Sequence, residues 1–129
     1  MATRPDKNSP FGNIRSLSEI NTSANEDGPF ISPDALSIYY DDIDLGCIYK
    51  ATRQSLDDPF GDAQRLTAIE MPGRYSVHPS ISSDGTAIYF TSDLTGVGHG
   101  DIYVSYIVPE PATLLLLGLG GVLLRGSKR

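Results

Sequence analysis

The chain has 129 residues, a formal net charge of -6, two histidines and one cysteine, Cys47. This length suffices for one modest domain and a terminal segment. The single cysteine excludes an intramolecular disulfide and a cysteine-based zinc cluster, and the acidic charge, with no basic stripe, disfavours nucleic acid and anionic lipid as partners.

A repeat of about fifty residues organises most of the chain. Three pairs of similar segments recur at offsets of 49, 50 and 54: 3–13 with 52–62, 30–40 with 80–90, and 46–49 with 100–103. The extra residues of the last pair fall in the glycine-rich loop 95–100. Similar segments at a nearly constant offset are typical of tandem structural units.

Each repeat predicts short strands, rich in Ile, Tyr, Val and Thr and bounded by Asp, Gly and Pro. Central strands are predicted at 37–42, 47–53, 86–92 and 101–107, an inner strand at 30–32, and outer strands at 14–17 and 63–66. The second unit has no outer strand of its own, because the terminal segment follows directly after its last predicted strand. The outer strand at 14–17 has no blade before it and is expected to complete the second unit.

Two equivalent connections, 32–35 and 82–85, have the composition of tight turns. An aspartate can accept hydrogen bonds from its own backbone, and a following glycine supplies positive φ. Ala35 stands where the second copy has Gly85. If this position is left-handed, the alanine is strained by about 1 kcal/mol, and Ala35→Gly should stabilise the protein.

Few residues suggest chemistry. Asp42 and Asp44 before Gly46 resemble half of a calcium loop, but no glutamate closes it, so a solvated turn is the better interpretation. His78 and His99 could form a metal pair or supply a base, but no carboxylate lies at a matching spacing, which favours surface loop residues.

Cys47 lies on a predicted strand and is interpreted as a small buried hydrophobic residue. Its neighbourhood in the sequence contains no histidine that could activate the thiol. The serines lack the Gly-x-Ser-x-Gly pattern of a nucleophile elbow. The sequence therefore predicts no catalytic residue, no cofactor and no enzymatic activity.

The chain ends in three consecutive features: Val-Pro-Glu-Pro at 108–111, an apolar run at 113–124 and a basic end at 125–129. The run has about 12 apolar or near-neutral positions, roughly 18 Å of helix, which is short for a bilayer span. An ordinary buried helix would carry a polar stripe, and this run has none. We expect a short transmembrane helix with its basic end on the cytoplasmic side.

This order of features resembles the PEP-CTERM protein-sorting signal of Gram-negative bacteria that produce exopolysaccharide. The resemblance covers residues 108–129. It implies recognition by a membrane-embedded transpeptidase of the exosortase type and cleavage near Pro109, Glu110 and Pro111. It also implies an inner-membrane stage before processing, followed by the cell envelope or the extracellular space.

The second repeat resembles the WD40-like β-propeller repeat of the TolB type. The resemblance rests on a Ser-Ser-Asp-Gly turn at 82–85, Ile-Tyr-Phe-Thr-Ser-Asp at 88–93 and Asp-Ile-Tyr-Val at 101–104. It extends over roughly 3–107, although the first copy has Cys47 where the second has Asp101. It implies blades of four antiparallel strands.

These observations predict an all-β fold. Residues 1–107 would form two four-stranded antiparallel propeller-type blades, in units of about 14–66 and 76–107, and residues 108–129 would form the sorting signal and its helix. Two blades cannot close a ring that needs at least about four. The chain would then be the end of a longer propeller, self-associate, or leave apolar faces exposed, and the first alternative is the simplest.

The first ten residues are polar and hold no apolar stretch that could act as a secretory signal. We therefore expect a start assigned too far downstream or the remainder of a longer gene. The predicted function is an exported, envelope-sorted bacterial surface protein whose repeats bind or scaffold, with a protein or polysaccharide as ligand. The alternatives are a regulatory propeller fragment of a larger hydrolase and a non-functional gene remnant.

Overall fold

The computed structural model describes residues 1–94 and 100–106. In this part the chain is all-β, with two antiparallel sheets. The first sheet has the order β1 (Glu26–Ile31), β2 (Ser37–Asp42), β3 (Cys47–Thr52) and β4 (Gln64–Arg65); the second has β5 (Arg74–Ile81), β6 (Ala87–Leu94) and β7 (Asp101–Tyr106). A single 3-10 turn, Thr67–Ile69, connects the sheets. The predicted C-terminal helix lies outside the described residues.

The predicted central strands are confirmed to within two residues at each end. The first sheet has the four strands predicted for each blade. The predicted second four-stranded blade is wrong for the described part of the chain: that unit supplies three strands, as the sequence indicated, and residues 14–17 do not supply the fourth. The reason lies at the edge of each sheet. A long connection returns β4 to the edge of β3, whereas β7 is the last element that the structure describes.

The two sheets share one register, which confirms the internal repeat. Ile31 pairs with Ile38 in the first sheet, and Ile81 pairs with Ile88 in the second, at an offset of 50. Each inner strand also carries a bulge at the same place. The bulges contain the equivalent residues Gly28 and His78, with φ of 55° and 54°.

The equivalent turns are left-handed in both sheets, which is the condition under which the sequence predicted strain at Ala35. Ala35 has φ of 59° and Gly85 has φ of 73°. The N–H groups of these two residues donate to the carbonyl oxygens three positions earlier, both at 2.8 Å. The preceding Asp34 and Asp84 each accept a backbone hydrogen bond at 3.0 Å from the residue two positions later.

The outer strand predicted at 14–17 is wrong, because these residues are in no strand. Instead, Gly12 pairs with Thr3 and the Arg15 N–H donates to the Met1 carbonyl at 2.9 Å. Residues 14–17 pair with Met1 through the backbone of Arg15, and this pairing does not extend into a ladder. We refer to residues 1–17 as the N-terminal hairpin.

The N-terminal hairpin has the same structure as the β3–β4 connection, which lies 49 residues later in the chain. The Gly12 N–H donates to Thr3 at 2.8 Å, as the Gly61 N–H donates to Thr52 at 2.7 Å. Two arginine–phenylalanine cation–π contacts are also equivalent: Arg4 over Phe11 at 4.6 Å and Arg53 over Phe60 at 4.7 Å. The hairpin is thus the outer half of a third repeat unit.

The first sheet is covered on both faces. Its first face packs in the main hydrophobic cluster, which contains Ile20, Ile38, Tyr40, Ala51 and Phe60. Its second face carries the cross-strand pair Asp41 and Ile48, both fully buried. Strand β5 of the second sheet lies close to β1, β2 and β3, and its backbone bonds Asp41 on the second face.

Candidate functional site

The calcium candidates form a turn between β2 and β3. The Asp42 carboxylate accepts a hydrogen bond from the Leu45 N–H at 3.0 Å, and its carbonyl accepts one from the Gly46 N–H at 2.7 Å. Asp44 is exposed. Among residues 1–94 and 100–106, no group of three or more His, Cys, Asp or Glu could hold a metal ion. The Asp42 hydrogen bonds are those of a turn, and the calcium site stays a prediction.

Of the two histidines, His78 lies on β5 and His99 lies outside the described residues. The sequence placed His78 in a surface loop. His78 is exposed, but it lies at the bulge of β5. There its backbone N–H donates to Asp41 Oδ1 at 2.8 Å. His78 therefore serves the contact between the sheets through its backbone.

Cys47 is confirmed as a buried residue at the start of β3, with a free thiol and no exposed surface. Burial raises the pKa of the thiol, and a hydrogen bond with Tyr49 partly opposes this shift. A thiol that resists deprotonation in a closed environment is a poor nucleophile. Its role is to fill space between the strands.

The least expected residue is Asp41, a carboxylate with no exposed surface between the two sheets. One oxygen, Oδ1, accepts the His78 N–H, whereas Oδ2 has no hydrogen-bond partner in the described part of the chain. Burial raises the pKa of Asp41, and the bond from His78 opposes the shift. A second bond joins the sheets nearby, from the Ser76 N–H to the Gly46 carbonyl at 2.8 Å.

Two glycines allow this close approach of the sheets. A Cβ at Gly28 would overlap Asp41 Oδ1 and lie 3.2 Å from the His78 Cα. A Cβ at Gly46 would overlap the Tyr75 ring. Both glycines also have positive φ, so both position and conformation exclude larger residues. We refer to Asp41, Gly46, Ser76 and His78 as the sheet junction.

Sequence reasoning missed the sheet junction because it considered only Asp42 and Asp44, as calcium ligands or turn residues, and gave Asp41 no role of its own. The repeat offered a signal, since Asp41 aligns with Thr91, a neutral residue at the same register position. A carboxylate in only one of two equivalent strands indicates a contact made by only one of the two sheets.

Within residues 1–94 and 100–106, nothing covers the equivalent face of the second sheet. Ile102 is the counterpart of Ile48 and pairs with Thr91 as Ile48 pairs with Asp41. Ile48 is 0% exposed and Ile102 is 81% exposed. Large apolar side chains on the same face of the second sheet are also exposed: Tyr89, Val104 and Tyr106. We refer to Tyr89, Thr91, Ile102, Val104 and Tyr106 as the open face.

Comparison with known families identifies a PEP-CTERM protein-sorting motif at residues 108–129. The chain matches neither a curated protein nor a solved structure. The sorting resemblance is therefore confirmed, whereas no family match supports the TolB-type repeats. The processing residues Pro109, Glu110 and Pro111 lie inside the matched segment and outside the described residues.

The motif suggests a protein sorted to the cell envelope by an exosortase-type enzyme. In the part of the chain with described structure, no helix is long and apolar enough to cross a membrane. The predicted span at 113–124 falls outside that part.

Proposed function

We propose that this protein is a substrate of an exosortase-type sorting enzyme, which recognises segment 108–129 and cleaves near Pro109, Glu110 and Pro111. The sorting motif in that segment carries the proposal. The two sheets are then the cargo, released from the inner membrane and delivered to the envelope or the extracellular space.

The cargo serves binding or scaffolding and not catalysis in this proposal. Two features support that role. First, the side chains of Asp41 and Cys47 are fully buried, so neither is accessible to a substrate. Second, the open face exposes several large apolar side chains on one sheet, as binding surfaces do. We also propose that the sheets are consecutive units of a propeller-like stack, since they share register, bulge and turn.

The sorting proposal is tested by Glu110→Ala. The chain is expressed behind a secretory signal in a bacterium with a functional exosortase system, and precursor and product are followed by immunoblot in membrane and envelope fractions. We expect uncleaved Glu110→Ala precursor in the inner membrane. The control Glu70→Ala removes a glutamate from the sheet region and should be processed as the unaltered chain is. Normal processing of Glu110→Ala would contradict the proposal.

A further inference from the structure

We propose that the open face binds a second copy of this chain, at β1 and the N-terminal hairpin, so that copies join head to tail. The proposal gives the scaffold role proposed above a partner, and rests on that role. It depends on the two sheets and not on segment 108–129, so it can fail or succeed separately from the sorting proposal.

The internal contact between the sheets is the template for this interface. There, the bulged strand β5 covers Asp41 and Ile48 and leaves neither exposed. Two backbone donors of β5, the N–H groups of Ser76 and His78, bond to Gly46 and Asp41 at 2.8 Å. The first sheet therefore binds the inner strand of the next unit through one apolar side chain, Ile48, and two hydrogen-bond acceptors, the Gly46 carbonyl and the Asp41 carboxylate.

The second sheet has the same receiving groups at equivalent positions. Thr91 replaces Asp41 and offers a hydroxyl acceptor, Gly100 replaces Gly46, and Ile102 replaces Ile48. A Cβ at Gly100 would lie 2.5 Å from the Thr91 methyl carbon, so this position also requires the small residue. These groups are unused within the described part of the chain, and Ile102 remains 81% exposed.

The N-terminal side of the chain supplies the complement. Strand β1 is the repeat equivalent of β5, with the same bulge and with Pro29 where β5 has Pro79. Beside β1 is a cavity of about 240 Å³, lined by Pro29, Ile38 and Tyr40 and by the N-terminal hairpin. In the internal contact β5 covers Ile48, so the equivalent contact brings Ile102 to β1, beside this cavity. We infer that Ile102 of a second copy fills it.

The same equivalence explains how β7 gains a neighbouring strand. Residues 104–106 and 1–3 align with the same stretch of β3. In the joined copies, β7 of one copy takes the place of residues 1–3 of the next and pairs with its segment 12–17. That segment then becomes a fourth strand of the second sheet and covers the edge of β7, which is unpaired within the described residues.

The test is sedimentation velocity of the full chain in mild detergent over a range of protein concentrations. We expect assemblies of more than one copy that grow with concentration. Ile102→Lys should weaken association at least about tenfold, and Tyr106→Lys should act in the same direction. The matched control is Leu56→Lys, since Leu56 is 61% exposed but lies in the β3–β4 connection; it should associate as the unaltered chain does.

A mixing experiment tests the head-to-tail arrangement. Ile102→Lys keeps its cavity beside β1, so a small amount should cap growing assemblies of the unaltered chain and shorten them. A symmetric pairing of two open faces would not be capped in this way, and that result would overturn the proposal. A single-copy species at every concentration would also overturn the proposal, including one in which the chain's own apolar segment covers the open face. So would a loss of association in Leu56→Lys equal to that in Ile102→Lys.

Two further measurements distinguish loss of the interface from loss of folding and from an effect of the sorting segment. Far-UV circular dichroism and the urea midpoint of Ile102→Lys should match those of the unaltered chain, because the replaced side chain is exposed in the single copy. Glu110→Ala should associate normally. Loss of association in Glu110→Ala would place the interface in the sorting segment and overturn the proposal, whether or not sorting itself depends on that residue.

Discussion

The first and second sheets of this protein are close copies in backbone structure and opposites in their surroundings. They share pairing register, a bulge in the inner strand and a left-handed turn before the central strand. Yet the equivalent isoleucines differ from no exposure at Ile48 to 81% at Ile102. One sheet has a following unit against its second face, and the other has none in the described chain.

The comparison shows that strand formation and burial of the strand residues have different causes. Strand positions follow from turn residues and alternating side chains within each repeat, and these are local properties. Burial of a strand position follows from what packs on the sheet, which the local sequence does not encode. The same Ile-Tyr pattern is therefore core in one sheet and surface in the other.

The largest expected effect on stability comes from replacing Ile48, and Ile102 is its direct comparison. Ile48→Ala should destabilise the protein by about 2–5 kcal/mol, because it removes a fully buried side chain and leaves a cavity. Ile102→Ala should change the free energy of unfolding by less than about 0.5 kcal/mol. Urea unfolding below the concentration at which copies associate measures both. Similar losses in the two variants would mean that the faces are equally covered.

The second prediction concerns the fit at the sheet junction. Gly28→Ala should cost about 2–4 kcal/mol, since it combines positive φ with an overlap on the Asp41 carboxylate. The control is Gly85→Ala, with φ of 73° and no atom within 4 Å of the added Cβ. It should cost only about 1 kcal/mol. Equal urea midpoints for the two variants would show that the carboxylate moves aside freely.

Much of this fold could be predicted from the sequence, and the exceptions have a common physical cause. The turn at Ala35 was foreseen because it needs only local chemistry. Segment 14–17 was expected as a strand, but its pairing with Met1 through Arg15 does not extend into a ladder. Asp41 was given no role of its own, because its contact with His78 spans 37 residues. Long-range contacts, unlike turns, leave no local pattern.

A third and smaller effect tests whether the equivalent turns are also equivalent in energy. Ala35→Gly should raise the free energy of unfolding by about 0.5–1 kcal/mol, because a left-handed alanine is strained and glycine is not. Gly85→Ala should lower it by a similar amount. Urea midpoints at one pH compare the two. An unchanged or lowered midpoint for Ala35→Gly would mean that the first turn has relaxed around its alanine.

The smallest expected effect contrasts two carboxylates through pH. Hydrogen bonds from Ser82 and Thr86 lower the pKa of Asp84 from 3.8 to about 2. Its stabilising contribution is present above pH 3.8 and is lost as the pH falls towards 2. The stability difference between the unaltered chain and Asp84→Asn should therefore narrow in acid.

The pKa of Asp41 is raised by burial instead. Its protonated form favours the folded state, so its contribution is fully present below pH 3.8 and is lost as the pH rises through the folded pKa. Asparagine retains an acceptor for the His78 N–H and carries no charge. Asp41→Asn should therefore gain stability relative to the unaltered chain as the pH rises from 3 to 7, the direction opposite to the loss expected for Asp84→Asn. Urea midpoints across this range measure both, and parallel curves would mean that the sheet junction admits enough water to solvate the Asp41 charge.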